Sequence, residues 1–141
     1  MAISKARSQV ERFTLDHEPP WLYWVTPAEI TAYAGQCLLQ SGQVGQAAVL
    51  LDEGIALLDE AFPRNRQAYL THQAHALTRL GKHRDLEAAA ARGMEAIQLA
   101  VSLDSTHSVN LLRDLCHQMK PHVKVPAVAG FLDRARGLVQ A

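Results

Sequence analysis

Cysteines, long apolar runs and aromatic residues are all scarce in this sequence. Its two cysteines, Cys37 and Cys116, lie far apart, so no CxxC metal or redox motif is present, as expected in a reducing compartment. No run of about 18 apolar residues occurs, which argues against a membrane-spanning helix. The opening stretch MAISKARSQVERF is interrupted by charge and does not resemble a signal peptide. We therefore expect a cytoplasmic protein that does not enter membranes.

An excess of charge of either sign is also missing, because 14 Lys and Arg residues balance 14 Asp and Glu residues. Direct nucleic-acid binding needs a strongly basic surface, so we expect none from this chain. The sequence has no GxSxG motif, P-loop, dinucleotide fingerprint or recognisable Cys–His spacing. We therefore expect a protein that is not an enzyme and that carries no cofactor.

What the sequence does contain is an internal repeat marked by glycines. Gly42 and Gly54 are twelve residues apart, Gly81 and Gly93 have the same spacing, and the two pairs are offset by 39 residues. The offset aligns GQCLLQSGQ with AHALTRLGK, and a second step reaches RDLCHQMKP. Each copy has an apolar pattern of helical period, a glycine break and a second such pattern, which predicts a helical hairpin.

The glycine positions predict two different roles. Gly42 and Gly81 fall just beyond helix ends, where a left-handed backbone is easiest for glycine. Gly54 and Gly93 fall inside predicted helices, where glycine costs about 1 kcal/mol relative to alanine, so we expect close packing between helices there.

The helical pattern predicts one all-α domain spanning residues 1–141. Thr26 is expected at an N-cap, with Pro27 at the first helical position and Glu29 completing a capping box. Pro63 and Pro121 are expected to stop helices, whereas Pro126 starts the last one. The predicted helices span 4–13, 27–41, 45–61, 66–80, 84–102, 106–119 and 126–139.

Hairpins of 34 or more residues, with a small residue in the first helix and glycine at its end, resemble the tetratricopeptide repeat. The stretches PPWLYWVTPAEITAYAGQCLLQSGQ and RNRQAYLTHQAHALTRLGK resemble the tetratricopeptide-like C-terminal region of actinobacterial-type helix-turn-helix transcriptional regulators. The resemblance implies an α-solenoid of about three tetratricopeptide-like hairpins, at 26–63, 64–103 and 104–139, preceded by a helix in 1–13 and a segment at 14–25.

The same resemblance implies regulation through binding of a ligand or partner. In that family the region follows a DNA-binding domain, for which residues 1–13 leave no room if they form one helix. Direct DNA recognition is therefore not expected of this chain. Either another chain supplies it, or the protein has kept the fold without the DNA-binding domain.

The segment at 14–25 holds Trp21, Tyr23 and Trp24 behind two prolines. A solenoid exposes an apolar edge on its first hairpin, and we expect these aromatic side chains to cover it. The alternative is that they form an aromatic lip beside a ligand site.

The first helices of successive tetratricopeptide-type hairpins line a concave groove, which gives the 39-residue offset a functional meaning. Equivalent positions should form lines of neighbours across the groove, and four such lines carry polar residues. They are Gln36–His75–Asp114, Ala32–Thr71–Asn110, Gln40–Arg79–Gln118 and Leu39–Thr78–His117. The predicted site comprises Tyr33, Gln36, Gln40, Thr71, His75, Arg79, His107, Asn110, Asp114 and His117, with Glu29 near the same face.

Amide and charged side chains on neighbouring helices suit a peptide or protein partner in the groove. Arg79 is the expected contact for an anionic group and Asn110 the expected contact for backbone amides. Two alternatives remain open: a merely solvated helix face, and a scaffold that forms homodimers through a helical edge.

The seven histidines raise a metal alternative and an enzyme alternative. His72 and His75 are three residues apart, and His107, Asp114 and His117 would approach them with zinc-type ligands. No HExxH or Cys/His cluster supports this, and His72 is expected to point partly off the concave face, so no metal is predicted. His75 and Asp114 would form an acid/base pair only within hydrogen-bond reach. Histidines would also make binding sensitive to pH.

Overall fold

The structure of the chain is a computed structural model that describes residues 26–81 and 85–140. Within these ranges the protein is all-helical and has no strand, as predicted. The helices are α1 (Pro27–Gln40), α2 (Val44–Leu57), α3 (Pro63–Thr78), α4 (Leu86–Leu103), α5 (Thr106–Met119) and α6 (Pro126–Val139), with a 3₁₀ turn at Lys120–His122. In this part of the chain, no helix has the length and apolarity needed to cross a bilayer.

The predicted helix at 4–13 and the aromatic segment at 14–25, including Trp21, Tyr23 and Trp24, lie outside the described residues.

Side-chain caps explain where three of the helices begin. The Oγ1 atom of Thr26 accepts a hydrogen bond from the amide of Glu29 at 3.2 Å, as the sequence predicted for α1. Asp85 caps α4 by accepting from the amide of Ala88 at 2.9 Å. Ser105 caps α5 in the same way. Each cap satisfies an amide that has no partner within its own helix.

The turn between α2 and α3 differs from the prediction. The helix expected to reach residue 61 ends at Leu57, because Asp59 forms a turn of its own. Its Oδ1 atom accepts from the amide of Ala61 at 3.0 Å and its carbonyl from the amide of Phe62 at 3.2 Å. Pro63 was expected to stop a helix, but it begins α3 at the first helical position, where its missing N–H costs nothing.

Helices that follow one another pack as antiparallel neighbours, and alternate helices also meet. Contacts join α1 to α2, α2 to α3, α3 to α4, and α5 to α6. In addition, α3 lies against α5 and α4 against α6, while α1 touches α3. The odd-numbered helices therefore lie side by side, in the order α1, α3, α5.

The core divides into two groups of buried side chains. The larger one unites α3 to α6 and contains Phe131, Leu112, Leu115 and Met119, all fully buried. A smaller group joins α1 and α2 to α3. Many of the remaining core residues are alanines, whose small side chains allow the helix backbones to approach closely.

The four glycines of the repeat have the predicted roles. Gly42 and Gly81 have φ angles of 87° and 63°, in the left-handed region beyond their helices. A Cβ atom on Gly54 would lie 3.0 Å from Cβ of Ala32, and one on Gly93 would lie 2.5 Å from Cε1 of Phe131. Both positions therefore allow a neighbouring helix to approach more closely than an alanine would.

Two polar contacts join helices within or beside the core. Gln67 on α3 is fully buried, and its Nε2 donates to the carbonyl oxygen of Ser108 on α5 at 3.2 Å. On the other side of α3, Asp52 of α2 accepts hydrogen bonds from Gln73 at 3.2 Å and from Arg92 of α4 at 3.3 Å. These bonds link four of the six helices through specific side chains.

Candidate functional site

A polar face on α3 and α5 brings together side chains from two copies of the repeat. We call it the histidine face and define it by His72, His75, Arg79, His107 and Asp114. His72 and His75 on α3, and Arg79 at the C-cap of that helix, are three or four positions apart and so lie on one side. Arg79, His107 and Asp114 are exposed, whereas His72 and His75 are partly buried.

His72 is the member of the histidine face whose ionisation is most strongly altered. Burial, as the largest cause, and the neighbouring His75 and His107 together lower its pKa from 6.5 to about 4. Loss of hydration penalises the charged imidazolium, and nearby positive charge adds to that penalty. At neutral pH His72 is therefore uncharged, with one ring nitrogen able to donate a hydrogen bond and the other able to accept one.

His75 occupies the centre of the face and interacts with both helices. Burial lowers its pKa, while the carboxylate of Asp114 opposes that shift and the guanidinium of Arg79 adds to it. The structure thus brings His75 of α3 and Asp114 of α5 together, as the 39-residue offset predicts. A cationic group and an anionic group therefore both act on the imidazole of His75.

The predicted residues on α1 lie on the solvent side of that helix. Tyr33 is 69% exposed, Gln40 is also exposed, and Gln36 is partly exposed. Burial raises the pKa of Tyr69 on α3, and the charge of Glu29 raises it further. Glu29 therefore lies where α1 approaches α3.

Thr71 does not belong to an open face, so its predicted role in binding is wrong. The residue is fully buried, and its Oγ1 atom donates to the carbonyl oxygen of Gln67 at 2.7 Å. Thr78 is buried too and bonds the carbonyl of Ala74 at 2.8 Å. A threonine hydroxyl can donate a hydrogen bond to a carbonyl of its own helix. Threonine at these two positions therefore did not indicate a solvent-exposed face.

Asn110 and His117 are both exposed on α5. Asn110 Oδ1 accepts from Nη1 of Arg113 at 2.6 Å, and Nη2 of the same guanidinium donates to the carbonyl of Val139 at 2.8 Å. His117 lines a cleft between α5 and α6. Asn110 is three positions from His107 and four from Asp114 and so shares their side of α5. Its expected contact with backbone amides therefore stays a prediction, whereas His117 lies toward α6.

His72 was expected to point partly off the site, and the structure corrects this by placing it beside His75 and His107. A sequence signal for its position did exist. His72 lies 39 residues after Tyr33, which was one of the predicted site residues. Applying the offset to every predicted residue would have found it.

The cleft between α5 and α6 has a volume of about 620 Å³. We call it the α5–α6 cleft. Its charged lining has three basic residues and one acidic residue: Arg113, Lys120, Arg136 and Asp133. Its apolar lining comprises Cys116, Val123, Ala129, Leu132 and Val139.

The metal and acid/base alternatives depend on how the groups of the histidine face are arranged. Across residues 26–81 and 85–140, no three His, Cys, Asp or Glu side chains are arranged to hold a metal ion. No hydrogen bond links His75 to Asp114 among the bonds of the described chain, although a general base is normally held in such a bond. The face offers imidazoles, a guanidinium and a carboxylate, which suit hydrogen bonding and charge pairing with a bound molecule.

Comparison of the chain with protein-family models, with curated proteins and with solved structures finds no match. The resemblance to tetratricopeptide-like regulatory regions therefore remains a prediction from the quoted residues.

Proposed function

We propose that the chain is a regulatory binding module whose histidine face receives a peptide segment of a ligand or partner protein. The observation that carries this proposal is the meeting of His75 with Arg79 and Asp114 across two repeat copies. Charged and hydrogen-bonding side chains are gathered there without being consumed by helix packing. Such clusters are typical of surfaces that recognise polar molecules.

A peptide fits this set of groups better than a simple ion does. A peptide backbone presents donors and acceptors in alternation, and a neutral His72 can serve either kind. The Arg79 guanidinium suits a terminal or side-chain carboxylate, while Asp114 suits an amine or amide donor. Tyr33, exposed on α1, adds an aromatic surface for an apolar side chain of the same segment.

We also propose that the hairpins stack as an α-solenoid with α1, α3 and α5 on its binding side. The contacts of α1 with α3 and of α3 with α5 support this arrangement. Together with the resemblance to regulator sensor regions, it favours a role in regulation, with any DNA recognition supplied by another chain.

The test begins with 12-residue peptides selected from a display library against the full chain. We expect Arg79→Ala to weaken binding of a selected peptide about tenfold or more, because a charge-assisted hydrogen bond contributes about 1.5–3 kcal/mol. His75→Ala should also weaken it. Titration with a fluorescent peptide gives the dissociation constants, and circular dichroism checks that each variant is folded.

Arg134→Ala is the matched control, since it removes an exposed arginine from α6, away from the histidine face. Its dissociation constant should stay within about twofold of that of the unaltered chain. Equal affinity of the Arg79→Ala, His75→Ala and unaltered chains would contradict the proposal.

A self-associating scaffold is the second candidate, favoured by apolar side chains that remain exposed. Val49 and Leu57 on α2 are 58% and 57% exposed, and Phe62 in the following turn is 46% exposed. Multi-angle light scattering distinguishes the two functions. A stable dimer that is disrupted by Leu57→Ser, and that is indifferent to Arg79→Ala, would favour the scaffold.

A further inference from the structure

The structure assigns a second interaction surface, the α5–α6 cleft, and we infer that it is a docking site for an acidic amphipathic helix of a partner protein. This surface is separate from the histidine face and lies on a different side of α5.

The repeat shows why this side of α5 is suited to receive a helix. On α3 the residues Thr71, Ala74 and Thr78 are buried, on the side where Gln67 bonds Ser108 of α5. The equivalent residues 39 positions later, on α5, are Asn110, Arg113 and His117, and all three are exposed.

The first copy of the repeat follows the same rule. One step back from Thr71, Ala74 and Thr78 are Ala32, Gly35 and Leu39 of α1, and all three are buried. Two odd-numbered helices therefore cover this side, and the third leaves it open beside α6. On α1 this side packs against α2, where Ala32 faces Gly54 and Gly35 faces Leu51. On α5 a docked helix would supply the part of this cover that α6 leaves open.

The lining of the cleft differs from an ordinary solvated helix surface. Besides its charged residues, it has an apolar floor that includes Leu132 and Val139. Val123 at its edge is 52% exposed. An amphipathic helix would remove these apolar groups from water, which is the usual basis of helix-in-groove recognition.

The charges around that floor select an acidic occupant. Arg113, Lys120 and Arg136 outnumber Asp133. The ion pair between Arg136 and Asp133 is 3.3 Å long and well exposed, so it contributes little and can yield to a partner carboxylate.

Two other occupants are disfavoured by charge. A second copy of the chain using the same surface would bring like charges together around a two-fold axis. The sequence at 4–13 has three basic residues and one acidic residue, so its charge does not complement the cleft either.

The experiment uses the full chain and a synthetic 16-residue helix with leucines at i, i+3, i+4 and i+7 and glutamates on both flanks. A matched peptide has lysine in place of every glutamate. We expect fluorescence anisotropy to show binding of the glutamate peptide, with the lysine peptide at least about tenfold weaker. Raising the salt concentration should weaken the glutamate complex, because the charges at the rim of the cleft are screened.

The double variant Lys120→Glu/Arg136→Glu should lose about tenfold or more of its affinity for the glutamate peptide and gain affinity for the lysine peptide. Arg134→Glu makes the same change on α6 outside the cleft and is the control. Backbone NMR shifts on adding the glutamate peptide should fall on α5 and α6, around Leu132.

Equal binding of the two peptides, or no effect of the double variant, would overturn the inference. So would shifts centred on His75, or a dimer that Leu132→Glu dissociates. None of these results decides the role of the histidine face, which depends on Arg79→Ala and library-selected peptides.

Discussion

Replacing Gly93 by alanine is expected to lower the free energy of unfolding by about 1–2 kcal/mol, although alanine is the better helix former. The added Cβ atom would lie 2.5 Å from Cε1 and 2.8 Å from Cδ1 of Phe131. Because Phe131 is fully buried, its ring cannot move without displacing other core side chains. Overpacking of this kind costs about 1–3 kcal/mol, more than the gain in helix propensity of about 1 kcal/mol.

The same substitution at Gly130 is the control and should act in the opposite direction. Gly130 lies within α6 and is exposed, and a Cβ atom added there would meet nothing within 4 Å beyond the backbone of its own helix. Gly130→Ala is therefore expected to stabilise the protein by about 0.5–1 kcal/mol. Guanidinium unfolding followed by circular dichroism measures both changes.

A double-mutant cycle identifies Phe131 as the cause. In a Phe131→Leu background the ring is gone, so Gly93→Ala should cost less than it does in the unaltered chain. Two results would contradict the close contact between α4 and α6. One is that Gly93→Ala stabilises the protein as much as Gly130→Ala does. The other is that Phe131→Leu leaves the loss of unfolding free energy caused by Gly93→Ala unchanged.

Acidification is expected to destabilise the fold by about 3 kcal/mol through His72 alone, between pH 6.5 and pH 4. The pKa of His72 is about 4 in the folded protein, against 6.5 for an unburied histidine. Between these values the unfolded chain binds a proton that the folded chain excludes, so protonation favours unfolding. Above pH 6.5 both states are neutral at this residue and its contribution is constant. His75, whose pKa is also lowered, acts in the same direction.

The measurement is the free energy of unfolding at pH 7, 6, 5 and 4 for the unaltered chain and for His72→Gln. Glutamine does not titrate, so the difference between the two proteins isolates His72 from the carboxylates that also protonate in this range. That difference should shift by about 3 kcal/mol in favour of His72→Gln as the pH falls to 4. The same substitution at exposed His117 is the control. Parallel stability curves for His72→Gln and the unaltered chain would show that His72 is not buried as described.

Most of the fold was predictable because its signals are local. The predicted spans 106–119 and 126–139 coincide with α5 and α6, since Pro126 and the apolar spacing mark them clearly. The turn after α2 was not predictable from the same rules. There Asp59 competes with the helix for backbone amides, and Pro63, readable as a stop or a start, begins α3. The choice depends on which of these local interactions prevails in the folded chain.

The site was predictable only in part because an offset in sequence does not fix a rotation about the helix axis. His75 and Asp114 meet as expected, but Thr71 lies far enough around α3 to face the core. Asn110, at the equivalent position one copy later, is exposed on α5. Burial at a given repeat position thus depends on which copy carries it, and no single copy contains that information.

Gln67 has a consequence for the alignment of α3 with α5. Its side chain is enclosed, its Nε2 has one partner at Ser108, and its Oε1 has no hydrogen-bond partner within the described structure. If α5 slid by half a turn, roughly 2.7 Å, Nε2 would move away from the Ser108 carbonyl, and a buried donor left unpaired costs about 1–3 kcal/mol. The buried amide of Gln67 therefore disfavours small shifts of α5 along α3. It helps to keep the alignment in which His75 lies near Asp114.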